Sequence, residues 1–249
     1  MKVRLGKKPA VDDPRTLKLS KYLGDRARFT VPNEVRWSKK VPNFPMYEND
    51  RIGNCAIAGP AHQIQVWTAN DGTEYTPTTE QVMAGYSRVG GYVPGDLNTD
   101  NGCVLLDVMR VWRNEGLCNH RIGAYALVDP SNFDLTRAAI HLFGGLSVGL
   151  LLPVAIQDNM TEWRAPTREH RRGQWERGSW GGHEVQVVDY DATWLHFVSW
   201  GKVIRMSWNF YQQYCDEAFA AISKAWLGPD AVAPNGFNAR ELATDLTRL

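Results

Sequence analysis

The sequence has little of what would assign a function at sight. Its four cysteines, Cys55, Cys103, Cys118 and Cys215, form no C-x-x-C and no cysteine–histidine set at zinc spacing, so no metal site or dithiol redox motif is implied. Charge of one sign is also missing. The formal net charge of +1 makes no global electrostatic case for nucleic acid or an anionic membrane as partner. No apolar run is long enough to span a bilayer; the longest, Leu146 to Ile156, contains Pro153 and reads as a buried strand. No apolar stretch follows the charges of Met1 to Pro14, so no signal peptide is expected. An even number of widely spaced cysteines without an export signal fits free thiols better than a disulfide framework. The expectation is a protein not secreted by a signal peptide, working in a cytoplasm or in a particle, with no cofactor and no metal. Internal repeats and low-complexity segments are absent.

What is present is ordinary for a globular chain: 43% hydrophobic and 22% charged residues over 249 positions. Ten tryptophans imply that large flat side chains fill much of the core. Residues 1–30 are basic and poor in large apolar groups. They read as an extended arm, solvated along the surface or docked on a partner. Val31 to Asn54 is punctuated by Pro32, Pro42 and Pro45 and reads as extended segments and turns.

Asn54 is placed to cap a helix from about Cys55 to Ala69, with a kink expected at Pro60. Thr78 and Gln81 form a capping box for a helix to about Val89. Val104, Val108, Val111 and Trp112 share a helical face that ends at Gly116. Asp134 is expected to cap a short helix stopped by Gly144 and Gly145. Ser147–Leu152, His183–Tyr190 and Leu195–Ser199 read as strands, the last two joined by a turn near Asp191. Ser207 is expected to cap a helix through about Ile222, and a last helix carries Leu242, Leu246 and Leu249. Helices in the first half and strands in the second predict an α+β fold in two lobes. The expected division is an arm over 1–30, a domain over 31–226 with lobes of about 31–130 and 131–226, and a tail over 227–249. The polar stretch Gln157 to Gly181 is long enough to be a lid or functional loop.

Two residues carry candidate chemistry. Cys55 falls at a predicted helix N-terminus, where unpaired amide donors and the helix dipole favour a thiolate, the nucleophilic form of cysteine. By itself it equally fits a small apolar residue at a helix start. His183 opens a strand after Gly181 and Gly182, which allow another backbone to approach closely. By itself it equally fits a strand-end histidine bonded to a carbonyl. His62 lies two helical turns from Cys55, about 10 Å away, and reads as a packing residue.

The stretch from Pro32 to Cys55 resembles the mature N-terminus of the papain family. Pro32, Val35 and Trp37 match its Pro-x-x-Val-Asp-Trp, Pro45 stands ten residues before the cysteine, and Gly53-Asn54-Cys55 matches Gly-Ser-Cys. Tyr75–Val82 is similar to the family's Leu-Ser-Glu-Gln segment. Asp100-Asn101-Gly102 resembles its Gly-Gly cleft wall. Gly182-His183 with Val187–Tyr190 resembles the strand of its catalytic histidine, and Ser199-Trp200-Gly201 its Ser-Trp-Gly. The resemblance covers about Val31 to Ile222, in the family's order. The chain also resembles a poorly characterised branch of this fold from actinobacteria and their phages.

The resemblance implies a papain-like two-lobe fold with a cleft between a helical and an antiparallel β-rich lobe. It implies catalysis by Cys55 and His183, with Asn49 in the oxyanion-hole position. Gly53, Asn54, Asn101, Gly102, Gly182 and Trp200 are expected around the substrate, a peptide or protein, with Trp200 shielding the histidine. There are departures. Val198 stands where the family has the asparagine that orients the histidine, so that task falls to Ser199 or a backbone carbonyl, or else the site is a Cys-His dyad. Ala56 follows the cysteine in place of tryptophan, and Ile52 and Thr99 replace the family's disulfide pair. Only about 30 residues precede Val31, so a long inhibitory propeptide is not expected. Glu184 should point to the opposite strand face from His183. The run Arg168–Arg172 reads as a solvated loop or an acidic-partner site. Two functions follow: a thiol hydrolase of peptide or related amide bonds, or a non-catalytic papain-fold binding or structural subunit, for example of a phage particle, with 1–30 as its docking tail.

Overall fold

A computed structural model describes residues 3–23, 31–167, 172–223 and Trp226; the expected C-terminal helix and residues 168–171 of the arginine-rich run lie outside them. The architecture is α+β. One mixed, mostly antiparallel sheet has the strand order β2-β8-β3-β5-β6-β7-β4, with β1 paired to β5. The strands are β1 (Val35–Arg36), β2 (Ile122–Leu127), β3 (Leu146–Leu152), β4 (Glu162–Trp163), β5 (Gly181–Tyr190), β6 (Trp194–Ser199), β7 (Lys202–Ser207) and β8 (Cys215–Ser223). Only β4 runs parallel to its neighbour, β7. The helices are α1 (Ser20–Leu23), α2 (Cys55–Asp71), α3 (Thr79–Gly90), α4 (Leu105–Asn114), α5 (Phe133–Phe143) and α6 (Trp208–Tyr214). No helix among the described residues is long and apolar enough to cross a membrane.

The local chemistry explains the helix ends. Thr78 and Gln81 close the expected capping box on α3. Gly116 takes a left-handed φ of 97° two residues past α4. The cap of α5 is Asn132, whose side chain accepts from Leu135 N–H, and not Asp134, which pairs with Arg137 in the first turn. Helix α2 passes through Pro60, which costs it the donor that Ala56 O would otherwise meet. The expected helix from Ser207 to Ile222 is corrected. Ser207 does cap α6, but α6 ends at Tyr214, and Cys215–Ser223 is a strand between β2 and β3. Pairing on both edges outweighs the helix preference of its alanines.

Two apolar cores lie on either side of α2. One gathers helical residues such as Ile64, Trp67, Tyr86, Met109 and Trp112, with Phe219 and Ala221 from β8. The other gathers the sheet residues Val148, Val185, Phe197 and Tyr211 with Trp163. Between α2 and the sheet runs a buried polar column. Gln63 accepts from Gln186 and donates to Gly144 O at 3.1 Å, and Ser147 Oγ donates to Glu184 Oε1 at 2.6 Å. Gly59 makes room for this column, since a Cβ there would sit 2.1 Å from Glu184 Oε2.

Burial pushes the Glu184 carboxyl up to about 8, against a smaller opposing pull from the Ser147 hydroxyl. Over the window from its ordinary value of 4.5 up to about 8, the folded chain keeps a proton the unfolded chain has lost. Its contribution to stability is complete below that window and is lost as pH rises through it. Glu184→Gln should remove this dependence, which amounts to about 1.4 kcal/mol per pH unit within the window. Urea midpoints of the two proteins near pH 5 and near pH 8 check it; parallel shifts in both would sink the assignment. The buried histidines contribute equally to both proteins and cancel.

Candidate active site

Cys55 is the first residue of α2 and lies at the seam of the two cores. Asn54 stands at the cap position, but its side chain makes no cap bond. Its amide donates instead to Tyr47 O at 2.7 Å, and its carbonyl accepts from Asn49 Nδ2 at 2.9 Å. The Asn54 side chain therefore satisfies none of the first amides of α2, although its backbone carbonyl accepts from Ile57 N–H at 2.9 Å. Three backbone N–H groups face the Cys55 sulfur: Glu184, at 3.4 Å, Gly6 and Ala56.

His183 sits on β5, one residue from the amide that touches the sulfur. Its Nε2 is 2.7 Å from Ser199 Oγ. Its Nδ1 is buried without a hydrogen-bond partner. Of the two replacements expected for the asparagine at Val198, Ser199 is the one within hydrogen-bond reach of the ring. Strand alternation explains why Val198 does not meet it: Val198 packs with Val66 and Val188 on the α2 face. Glu184 points to that same α2 side, as expected, and only its backbone reaches the site.

Trp200 stacks on the His183 ring at 4.4 Å and 13°, as expected of a shield. It does so from a two-residue turn between β6 and β7, where Trp200 has φ 48° and Gly201 φ 67°. Such turns favour asparagine and glycine. A bulky residue held at positive φ carries strain that the surrounding packing has to offset. Trp163 and Trp180 supply that packing against the Trp200 ring.

The cleft between the lobes is filled by the chain's own N-terminal segment. Residues 3–8 of the arm are seated there, while most of residues 9–16 are exposed. Lys7 N–H donates to Gly182 O at 3.0 Å, Cys103 N–H donates to Gly6 O at 2.8 Å, and Lys8 N–H donates to Cys103 O at 2.8 Å. The segment bridges both walls. Glycines permit the approach: a Cβ on Gly6 would sit 1.8 Å from Gly53 O, one on Gly102 2.1 Å from Gly6 O, and one on Gly182 2.2 Å from Lys7 O. Beyond the cleft, residues 17–19 bond to Leu127 at the β2 edge, strapping the arm across the sheet.

Asp100 ties wall, nucleophile loop and arm together. It accepts from Gly53 N–H at 3.0 Å and Tyr86 Oη–H at 2.6 Å, and pairs with Arg4 at 2.8 Å. Tyr86 in turn accepts from Gly102 N–H. Asn101, expected at the substrate, faces solvent and bonds to Asn98 O; its neighbour Cys103 makes the wall contact. Both amide hydrogens of Asn49 are committed, to Asn54 Oδ1 and to Ile52 O at 3.4 Å. His62 is a packing residue, as expected, with Nε2 2.9 Å from Pro45 O. The four cysteines are free and buried. Gly6, Lys7, Gly149, Asp216 and Glu217 have no local pattern in the sequence that marks them as cleft residues.

The seated arm sets the electrostatics. Cys55 is 1% and His183 0% exposed. Burial pushes the Cys55 thiol up to about 12, against weaker pulls from the three amides, and pushes His183 down to about 3. Burial thus favours the neutral form of each group in this closed state. No group of three His, Cys, Asp or Glu side chains able to hold a metal occurs among the described residues.

No known family model and no curated protein matches the sequence. Solved structures do match its fold. Xylellain, a cysteine protease from Xylella fastidiosa, aligns at TM-score 0.66 with 17% identity, over 89% of this chain and 97% of that one. A procathepsin B from Trypanosoma congolense aligns at 0.58 with 14% identity, over 88% and 87%. Bromelain from Ananas comosus, solved with the inhibitor E64, aligns at 0.56 with 13% identity, over 78% and 100%.

Iodoacetamide should label Cys55 of the unaltered chain slowly between about pH 5 and pH 8, rising only toward the pH of a buried thiol. Gly6→Val, which cannot keep the arm seated, should raise the Cys55 rate at least about tenfold in that range. Labelled peptides mapped by mass spectrometry give the rates; equal rates would mean that the arm does not control the sulfur. With its helical half packed against one mostly antiparallel sheet and this likeness to solved cysteine proteases, the chain has the papain-like cysteine-protease fold.

Proposed function

We propose that this protein is a thiol hydrolase of peptide or related amide bonds whose cleft is closed by its own residues 3–8. The observation that carries the reading is the group built around one sulfur. Cys55 opens a helix without a side-chain cap, His183 is held through Nε2 by Ser199, and its Nδ1 is left without a partner. A histidine oriented through one nitrogen has the other free to take a thiol proton. The likeness to cysteine proteases supports the same chemistry.

In the open state, water and the amide groups stabilise a thiolate, and the Trp200 face favours the imidazolium. Cys55 Sγ attacks the substrate carbonyl, forming the S–C bond as the carbonyl becomes an oxyanion. The Cys55 backbone N–H donates to that oxygen. Asn49 fixes the loop that presents this amide, and supplies a second donor when its Nδ2 turns from Asn54. His183 Nδ1 takes the thiol proton and gives it to the departing amine, which leaves as the C–N bond breaks. Water then hydrolyses the thioester, returning the thiol. Gly53, Gly102, Gly182 and Trp200 line the path of the substrate backbone.

The seated arm is not cut because of how it is presented. The Leu5–Gly6 peptide turns its N–H toward the sulfur. With the N–H side of that peptide toward the sulfur, its carbonyl carbon is not the group presented for attack. The Gly6 carbonyl, one bond further on, is held by Cys103 N–H.

The alternative, a non-catalytic papain-fold subunit, draws its support chiefly from Val198, with Asn49 and Ala56 adding to it; the Ser199–His183 bond favours the hydrolase. Turnover separates the two. In the Gly6→Val chain, a fluorogenic peptide mixture should be hydrolysed, and adding Cys55→Ala or His183→Ala should abolish it. Ser199→Ala should lower kcat by about 10- to 100-fold, with KM little changed and a shifted pH–rate profile. A Gly6→Val chain with a fast-labelling Cys55 and no turnover would leave the binding role.

A further inference from the structure

Lys7 is buried to its end. Its side chain is 0% exposed, and Nζ lies 2.7 Å from Asp216 Oδ2 and 3.0 Å from Glu217 Oε1. Nζ also donates to Lys8 O at 3.0 Å. A buried ammonium costs several kcal/mol unless it is paired and hydrogen-bonded, and here three oxygens meet it. Gly149, in the interior of β3, makes the passage for the stem: a Cβ there would sit 2.2 Å from Lys7 Cε and 2.8 Å from Glu217 Cγ. Glycine weakens a strand interior, and its presence there commonly marks a close approach. Two carboxylates against one ammonium leave this pocket acidic while filled and more so when empty. Burial raises the Glu217 carboxyl, and Lys7 opposes that shift.

The pocket also adjoins the reacting atoms. Lys7 N–H bonds to the carbonyl of Gly182, next to His183, and Gly6 N–H faces Cys55. Every other bond that residues 6–8 make to the walls is between backbones, through Cys103 and Gly182, and any extended peptide can make those. Within residues 6–8, two features discriminate by side chain: the space at Gly6, which admits no Cβ, and the acidic pocket at Lys7.

We propose that the Gly149–Asp216–Glu217 pocket is a lysine-recognition site. When residues 3–8 leave the cleft, it takes the lysine side chain of a peptide with a small residue before that lysine. This names the substrate class of the hydrolase proposed above and rests on it for the word substrate, while the binding itself needs no reactive Cys55.

The test is binding to the full chain carrying Gly6→Val and Cys55→Ala. Fluorescein-labelled Val-Arg-Leu-Gly-Lys-Lys, and the same peptide with norleucine for the lysine after glycine, are compared by anisotropy. The lysine peptide should bind at least about tenfold more tightly, and adding Glu217→Gln should erase the difference. Equal affinities, or no binding of either peptide, would overturn the proposal. Should Gly6→Val fail to fold, Lys7→Met in the otherwise unaltered chain serves. It should speed Cys55 alkylation, and the lysine peptide, unlike the norleucine one, should slow it again. Selective binding without turnover in the Cys55-intact protein would retire the hydrolase and keep the lysine site.

Discussion

The close approach of backbone to backbone at Gly6 is the constraint on which the site's present state depends. Without side chains at Gly6, Gly102 and Gly182, the arm reaches both walls and bonds to them. Once there it removes water from Cys55 and His183. Dehydration, the largest cause for each, then separates the two groups' proton affinities in the direction opposite to that needed for an ion pair. No charged partner is needed to silence the pair. The arm works by excluding solvent and by presenting an amide hydrogen where a carbonyl carbon would react.

The walls are held to this arrangement from behind. Asp100 bonds to the nucleophile loop through Gly53, to the opposite wall through Tyr86, and to the arm through Arg4. On the other lobe, Trp200 is kept at a positive φ by the indoles around it, and its ring faces His183. A local rule is broken in each place, a buried carboxylate in one and a tryptophan in a tight turn in the other. Both breaches lie beside the candidate chemistry, where such costs are commonly met.

The legible parts of the sequence were those set by near neighbours. The capping box of α3 needs only Thr78 and Gln81. The hairpin turn at Asp191 needs only that side chain and the amides of Thr193 and Trp194. The positions of Cys55 and His183 followed from a family resemblance in order and spacing. What stayed hidden depends on distant partners. Strand β8 is rich in alanine and became a strand because β2 and β3 flank it. The histidine's partner was offered as Ser199 or a carbonyl, and only the strand phase decides that Ser199 faces it while Val198 turns away. The arm carried the strongest misdirection. Its lysines and arginines read as solvated charge, yet Lys7 is fully buried, because its partners lie more than two hundred residues further on.

That separation has a consequence for how the molecule is made. Lys7 and Asp216 are 209 positions apart, so the arm can dock only after the chain between them has been made. Strand β8 has to enter the sheet between β2 and β3 before the acidic pocket exists. Until then the arm has no seat, and the helical half carrying Cys55 has no sheet to close against. Contacts of such long range are late and slow in folding. Closure of the cleft is therefore built into the end of assembly, and a chain interrupted before β8 would lack the site and its occupant's anchor together.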